Sequence, residues 1–350
     1  MRIGVVLPNW IGDTAMCTPM LRALRHHFGG AELVGVLSPY VADVLAGTPW
    51  LDERILYRRR SRVATERPLA VAQELRRRHF DAMVLCTNSF RAALMALYSG
   101  ARERVGYVRY GRGALLTHKL YYPRRGWRRL PTPAIDSYLQ LAYALGCAYE
   151  SPRIELATLS ADEDAADRVW RKYHLPGGNR VVVMHSGGAY GVAKLWPHEH
   201  FAALARRIAT EHDLAVLFTC GPDDRDVARR MVALANHPRV VSLADDDISI
   251  GLSKACIRRS RLMVSTDTGP RFFAVAFGVP LISLFGPTDM GWSRSHDPQE
   301  ICLQHAVPCG PCGKRVCPLG HHDCMRLLSV ERVYAAVCAQ LERRTISPAA

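Results

Sequence analysis

Short apolar runs alternate with amphipathic stretches along this chain, and the alternation breaks once and then resumes. In the first half, residues 3–7, 31–37 and 82–86 read as strands, and 14–27, 39–46, 68–79, 90–97 and 135–146 as helices. A helix over 160–174 follows, and Leu175-Pro-Gly-Gly-Asn179 then punctuates the chain. Strands resume at 180–184, 214–219, 239–242, 262–265 and 281–284, with helices at 198–212, 224–235, 248–258 and 269–277 between them. Strands separated by helices of this length form parallel βαβ units. The expectation is an α/β protein of two Rossmann-like lobes, with parallel sheets facing a central cleft. The domains are drawn at 1–175 and 176–350, the second carrying a cysteine-rich loop over 302–324 and a C-terminal helix. Residues 106–133 read as irregular and basic.

Composition narrows the class. A chain of 350 residues, 49% hydrophobic and 22% charged, can bury two cores and is neither disordered nor fibrous. The apolar start is too short for a signal sequence and runs directly into Asp13, and the apolar stretch 274–285 is interrupted by Gly278 and Pro280. A soluble, cytoplasmic protein is therefore expected. Residues 1–150 hold 22 Lys and Arg against 11 Asp and Glu, so +11 of the chain's +14 lies there. Arg58, Arg59 and Arg60, Arg76 to Arg78, and Arg124, Arg125, Arg128 and Arg129 form clusters interleaved with Tyr and Trp. Such a surface is a solvated face, or it attracts a polyanion: nucleic acid or an anionic membrane. No nucleic-acid motif is recognisable, and the arginines fall mostly near loops, which disfavours the nucleic-acid alternative.

The chemistry-bearing residues sit where the pattern places strand ends. Asp13 follows the first strand, where open α/β sheets hold their ligands, although by itself it reads as a helix cap. His185-Ser-Gly187-Gly188-Ala-Tyr-Gly-Val-Ala-Lys194 follows the first strand of the second lobe. Its glycines let backbone amides approach an anion, and Lys194 adds a point charge. It is neither a Walker A loop nor a dinucleotide fingerprint. In Ser265-Thr-Asp267-Thr268-Gly269-Pro270, Thr268 or Gly269 is placed to cap a helix whose positive end suits phosphate. Asp223 and Asp224 stand at a third strand end, where a ribose could be held. Together these signals describe a nucleotide-diphosphate site. Cys309, Cys312, Cys317 and Cys324, with His305, His321 and His322 nearby, have the character of a structural zinc knot. Free or paired thiols are the alternative.

Leu-Pro-Asn-Trp-Ile-Gly-Asp13, Ala-Lys-Leu-Trp-Pro197, Thr-Asp-Thr-Gly269 and Phe-Gly-Pro-Thr288, in this order, resemble the lipopolysaccharide heptosyltransferases of glycosyltransferase family 9. The forms around Asp13 and Lys194 resemble the heptosyltransferase II branch. The resemblance implies a GT-B fold and metal-independent, inverting transfer of heptose from ADP-L-glycero-β-D-manno-heptose to a heptose of the inner core. A different nucleotide sugar or acceptor is the alternative. It implies Asp13 as general base, Lys194 on the pyrophosphate, amides of Thr268 and Gly269 on the diphosphate, and Asp267 and Asp223 on the donor. Gly187 and Gly188 are assigned to the donor loop, and Asn9, Trp10, Arg58, Arg59 and Arg60 to the acceptor side. The N-terminal lobe would take the acceptor, a phosphorylated glycolipid, at the inner face of the inner membrane, and the C-terminal lobe the donor. No catalytic cofactor is implied. The chain departs from the family pattern at His185-Ser186-Gly187, where Pro-Gly is usual, and at Phe272, where histidine is usual. Arg271, next door, could substitute for that histidine.

Overall fold

The computed structural model describes residues 1–346 apart from Gly178 and Ala189. The chain divides into two compact units, Met1–Ala157 with Gly291–His296, and Thr158–Met290 with Asp297–Ala350.

The first unit holds β1 (Arg2–Val6), β2 (Glu32–Leu37), β3 (Glu53–Leu56), β4 (Ala82–Leu85), β5 (Glu103–Tyr107) and β6 (His118–Leu120). They form one parallel sheet in the order β3-β2-β1-β4-β5-β6, the order of a doubly wound nucleotide-binding fold. Ile3 pairs with Leu33 on one side and Ala82 on the other, and Ile3 and Val5 are fully buried. A strand buried on both faces has to be apolar throughout, which is why β1, β2 and β4 are legible as unbroken apolar runs. The irregular basic region resolves into β6 and a two-stranded hairpin, β7 (Arg124–Arg125) and β8 (Arg128–Arg129).

The second unit repeats the plan with β9 (Val181–His185), β10 (Ala215–Thr219), β11 (Val240–Ser242), β12 (Leu262–Thr266), β13 (Leu281–Phe285) and β14 (Glu300–Gln304). The order β11-β10-β9-β12-β13-β14 is the same permutation, again all parallel. Helices Phe201-bearing His198–Glu211 and Val330–Ile346 pack on this sheet, and Trp196 is fully buried beside Phe201 with rings 4.9 Å apart. The Trp196 indole donates to the Leu328 carbonyl at 2.8 Å.

Three expectations change. The helix Ser160–Lys172 belongs to the second unit, because Glu163 pairs with Arg258 and Arg259 at 3.0 and 2.6 Å and Lys172 with Asp246 at 2.8 Å. The expected boundary at 175 thus moves to 157, and residues 291–296 rejoin the first unit through His296 and Asp136 at 2.8 Å. The expected helix over 14–27 is two, Ile11–Met16 and Thr18–His27, with Pro19 inside the first turn of the second. No helix among the described residues is long and apolar enough to cross a membrane.

Trp196→Ala should cost about 3–5 kcal/mol, since it empties a sealed site and orphans the Leu328 carbonyl. Urea unfolding followed by far-ultraviolet dichroism measures it.

Candidate functional site

In the second unit, three separated segments converge on one carboxylate. Asp267 follows β12 and is almost wholly buried. The Lys194 ammonium donates to Asp267 Oδ2 at 2.5 Å and to its backbone carbonyl at 3.1 Å. Thr288, two residues into the loop after Phe285-Gly286, donates its hydroxyl to the same Oδ2 at 2.7 Å. Arg271 lies 3.5 Å from Oδ1 and pairs on its other side with Glu300, which also accepts from Ser283 at 2.5 Å. Burial would raise the Asp267 carboxyl, but the charges of Arg271 and Lys194 outweigh it and hold the group below its ordinary value of 3.8.

An ammonium has three N–H donors, and Asp267 takes two of those on Lys194, which leaves one for an incoming anion. Beside it, the backbone N–H groups of Thr268 and Gly269 have no acceptor among the described residues. Both residues are half-buried at the mouth of the turn that leads into helix Arg271–Ala276. The N-cap of that helix is Pro270, one residue after Gly269 and two after Thr268, the expected caps. Gly187 is buried and its carbonyl accepts from Thr266 at 2.8 Å, while Gly188 is half-exposed.

A segment far along the chain fixes this loop. Gly191 takes φ +154°, and a Cβ there would collide with the Arg315 carbonyl. Ala193 N–H donates to that carbonyl at 3.0 Å, and the Tyr190 hydroxyl donates to the Gly313 carbonyl at 2.6 Å.

Asp223 is exposed in the turn Pro222–Asp224. It is the adjacent Asp224 whose carboxylate sits against Gly187 and Gly221. His185 also faces Gly187, with Nδ1 3.1 Å from the Thr219 hydroxyl, and burial keeps it neutral against the pull of Asp224. Neither His185 nor Thr288 was expected in the site. Arg271 does not take the place of the missing histidine: it is fully buried and committed to Glu300 and Asp267, and Phe272 is buried too.

Cys309, Cys312, Cys317 and Cys324 line one cavity of about 180 Å³ with His321 and His322. Cys317 is lowered by backbone N–H groups, first that of His322, and Cys324 is raised by burial and then by the other three thiols. No group of three or more His, Cys, Asp or Glu among the described residues could hold a metal ion, so the geometry lends the zinc expectation no support.

In the first unit, Asp13 is not the helix cap. Trp10 occupies that position, and Asp13 is the third residue of Ile11–Met16, in the first turn, where the helix dipole favours an acid. Tyr138, from helix Ala134–Tyr143, donates its hydroxyl to Asp13 Oδ1 at 2.9 Å. Burial and then the Asp13 charge push the Tyr138 phenol well up, so it stays protonated and remains a donor. Asn9 and the half-exposed Trp10 follow β1, and the exposed Arg58, Arg59 and Arg60 follow β3. Both strands end on the carboxyl edge of the parallel sheet, so these residues share that edge.

The family model for glycosyltransferase family 9 (heptosyltransferase) matches residues 69–322. The chain belongs to that family. It is thus a glycosyltransferase, and it is 26% identical to lipopolysaccharide heptosyltransferase 2 of Escherichia coli K12 over 97% of this chain and 99% of that one. Its fold is that of the E. coli ADP-heptose lipopolysaccharide heptosyltransferase II structure, with TM-score 0.80 and 20% identity over 99% and 100% of the two chains. E. coli heptosyltransferase WaaC with ADP matches at TM-score 0.70 and 17% identity, over 97% of this chain and 100% of the other. These neighbours are GT-B heptosyltransferases, in keeping with the paired Rossmann-like units.

Asp267→Ala should destabilise the transferase by about 3–5 kcal/mol, because it strands Lys194 and Arg271 in the interior. The depressed Asp267 carboxyl also fixes a sign. Its stabilising contribution is complete above pH 3.8 and is lost as the pH falls from there through its lower folded value. Acid unfolding of wild type against Asp267→Asn measures that contribution.

Proposed function

We propose that this transferase moves heptose from ADP-L-glycero-β-D-manno-heptose to a heptose hydroxyl of the lipopolysaccharide inner core, with inversion. The observation that carries the donor half is the buried Lys194–Asp267 pair beside two backbone amides that have no acceptor among the described residues. Three family motifs meet there, and the arrangement offers fixed positive charge to a diphosphate. Relatives named for lipopolysaccharide heptose transfer, and a solved relative holding ADP, support the same donor.

In this reading the C-terminal unit holds ADP-heptose. Gly187, Gly188, Thr268 and Gly269 lend backbone to the diphosphate, and Lys194 completes its coordination. Asp267 acts mainly by holding that ammonium. Asp224, turned toward the glycine loop, is better placed than Asp223 for the ribose. The N-terminal unit takes the acceptor, with Asn9, Trp10 and Arg58 to Arg60 at its sheet edge. Asp13 accepts the proton of the acceptor hydroxyl as its oxygen bonds to the anomeric carbon, and the bond from that carbon to the ADP oxygen breaks. The leaving ADP takes both electrons of that bond, and the charge it gains is met by donors already in place. Since protein cations do this work, a divalent metal is not called for, and activity should survive a chelator. The basic N-terminal unit suits a phosphorylated glycolipid on an anionic membrane face.

Lys194→Ala should weaken ADP binding by about 1.5–3 kcal/mol, the worth of a charge-assisted hydrogen bond. Calorimetry with an unchanged Kd would take Lys194 out of the site. Asp13→Asn preserves shape but cannot accept the proton, so kcat should fall roughly 10²–10⁴-fold while ADP affinity holds. Turnover at the native rate would leave Asp13 a structural acid.

A further inference from the structure

Between Arg104 and Ile135 the chain carries Arg109, Arg112, Lys119, Arg124, Arg125, Arg128 and Arg129 and not one Asp or Glu. Within this stretch the β7–β8 hairpin pairs Arg124 with Arg129 and Arg125 with Arg128. Its two-residue turn is Gly126–Trp127, with Gly126 at φ +58°, the left-handed conformation such turns need. Each cross-strand pair therefore sets two guanidinium groups opposite each other, which is unfavourable in an antiparallel ladder. None of the four arginines has a carboxylate partner among the described residues, and Arg129 Nε is buried without an acceptor. A two-stranded hairpin is marginal even without such repulsion.

Three aromatic residues here face solvent. Trp127 at the tip is 97% exposed, and Tyr110 and Tyr121 are each 69% exposed. Arg109, Arg124, Arg129, Tyr121, Tyr122 and Trp127 line a cavity of about 440 Å³. Arg129 is held in place by stacking on Tyr122 and Trp292, 3.3 and 4.4 Å from their ring centres.

We infer that the Arg124–Arg129 hairpin docks on an anionic phospholipid bilayer, its guanidinium groups on headgroup phosphates and the Trp127 indole at the interface. The anion missing from the hairpin is then supplied from outside, and the exposed ring gains the environment that tryptophan favours. A single-stranded nucleic acid would instead call for a groove with aromatic residues in series. Here the charge is packed into six residues around a projecting turn. The hairpin follows β6, whose carboxyl end lies on the same sheet edge as that of β1, which leads to Asp13. That is the edge at which a membrane-anchored acceptor would arrive. The inference deepens the reading of a glycolipid acceptor, but its test uses neither donor nor acceptor.

The full chain is sedimented with vesicles of pure phosphatidylglycerol and of pure phosphatidylcholine. Binding to the first only, weakened by salt, with a blue shift of tryptophan emission that Trp127→Phe removes, is the expected result. Arg124→Ser/Arg125→Ser/Arg128→Ser, which keeps the stacked Arg129, should lose roughly fivefold per arginine, on the order of a hundredfold in all. Its ADP affinity and dichroism should match wild type. Equal binding to both vesicles, no binding to either, or wild-type binding by the triple variant would overturn the inference. So would tight binding of a single-stranded oligonucleotide that the vesicles do not displace. Failure of ADP to bind the wild type, with vesicle binding intact, would count against the proposed function alone.

Discussion

The carboxylate of Asp267 organises the second unit because it is too deeply buried to stay charged without company. Lys194, Asp267, Arg271 and Glu300 form a chain of alternating sign that sums to zero, so each charge is tolerated only because its neighbours are present. Ion pairs of this kind add little net stability, but they fix geometry. Lys194 cannot leave without exposing a buried acid, so its ammonium stays where an anion can meet it without reorganisation. The tight loop around Gly187, the turn at Thr268 and the reach of Thr288 all follow from bringing three chain segments to this one point.

The two sheets explain why these segments arrive together. Parallel strands send every carboxyl end to the same edge, and both units use the order in which the first strand lies centrally. In the first unit that edge gathers Asp13, Trp10 and the arginines after β3; in the second it gathers the glycine loop and Asp267. Asp13 has a different kind of support from Asp267. A neutral phenol, from a helix 125 residues away in sequence, donates a hydrogen bond to it.

Much of this was legible in the sequence, and the exceptions share physical causes. The central strands β1, β2, β4, β9, β10, β12 and β13 are covered on both faces and show as apolar runs. The strands β3, β6 and β14 lie at sheet edges and β5 lies next to one, so charged or half-exposed residues break their apolar pattern. Asp13, Lys194, Asp267 and Gly269 were singled out because strand ends and family motifs point to them. Tyr138 was not, since nothing local links it to Asp13. Asp224 and Asp223 are neighbours whose difference is a matter of which way the turn rotates. Arg271 looked available because its burial and its partner Glu300, on another strand, leave no trace nearby in sequence. The cysteine spacing suggested a metal knot; the four cysteines do line one cavity, yet no group of three or more ligands among the described residues could hold a metal ion.

The cysteine-rich segment has an architectural part that does not depend on its thiols. Gly191 lies so close to the Arg315 carbonyl that no side chain fits between them, and Gly313 and Arg315 receive the donors of Tyr190 and Ala193. The conformation of the glycine loop is therefore written in two places more than a hundred residues apart. Neither stretch can drift alone. A loop transplanted from a relative would keep its shape only if the strap came with it, so the two should be inherited, and engineered, as one piece.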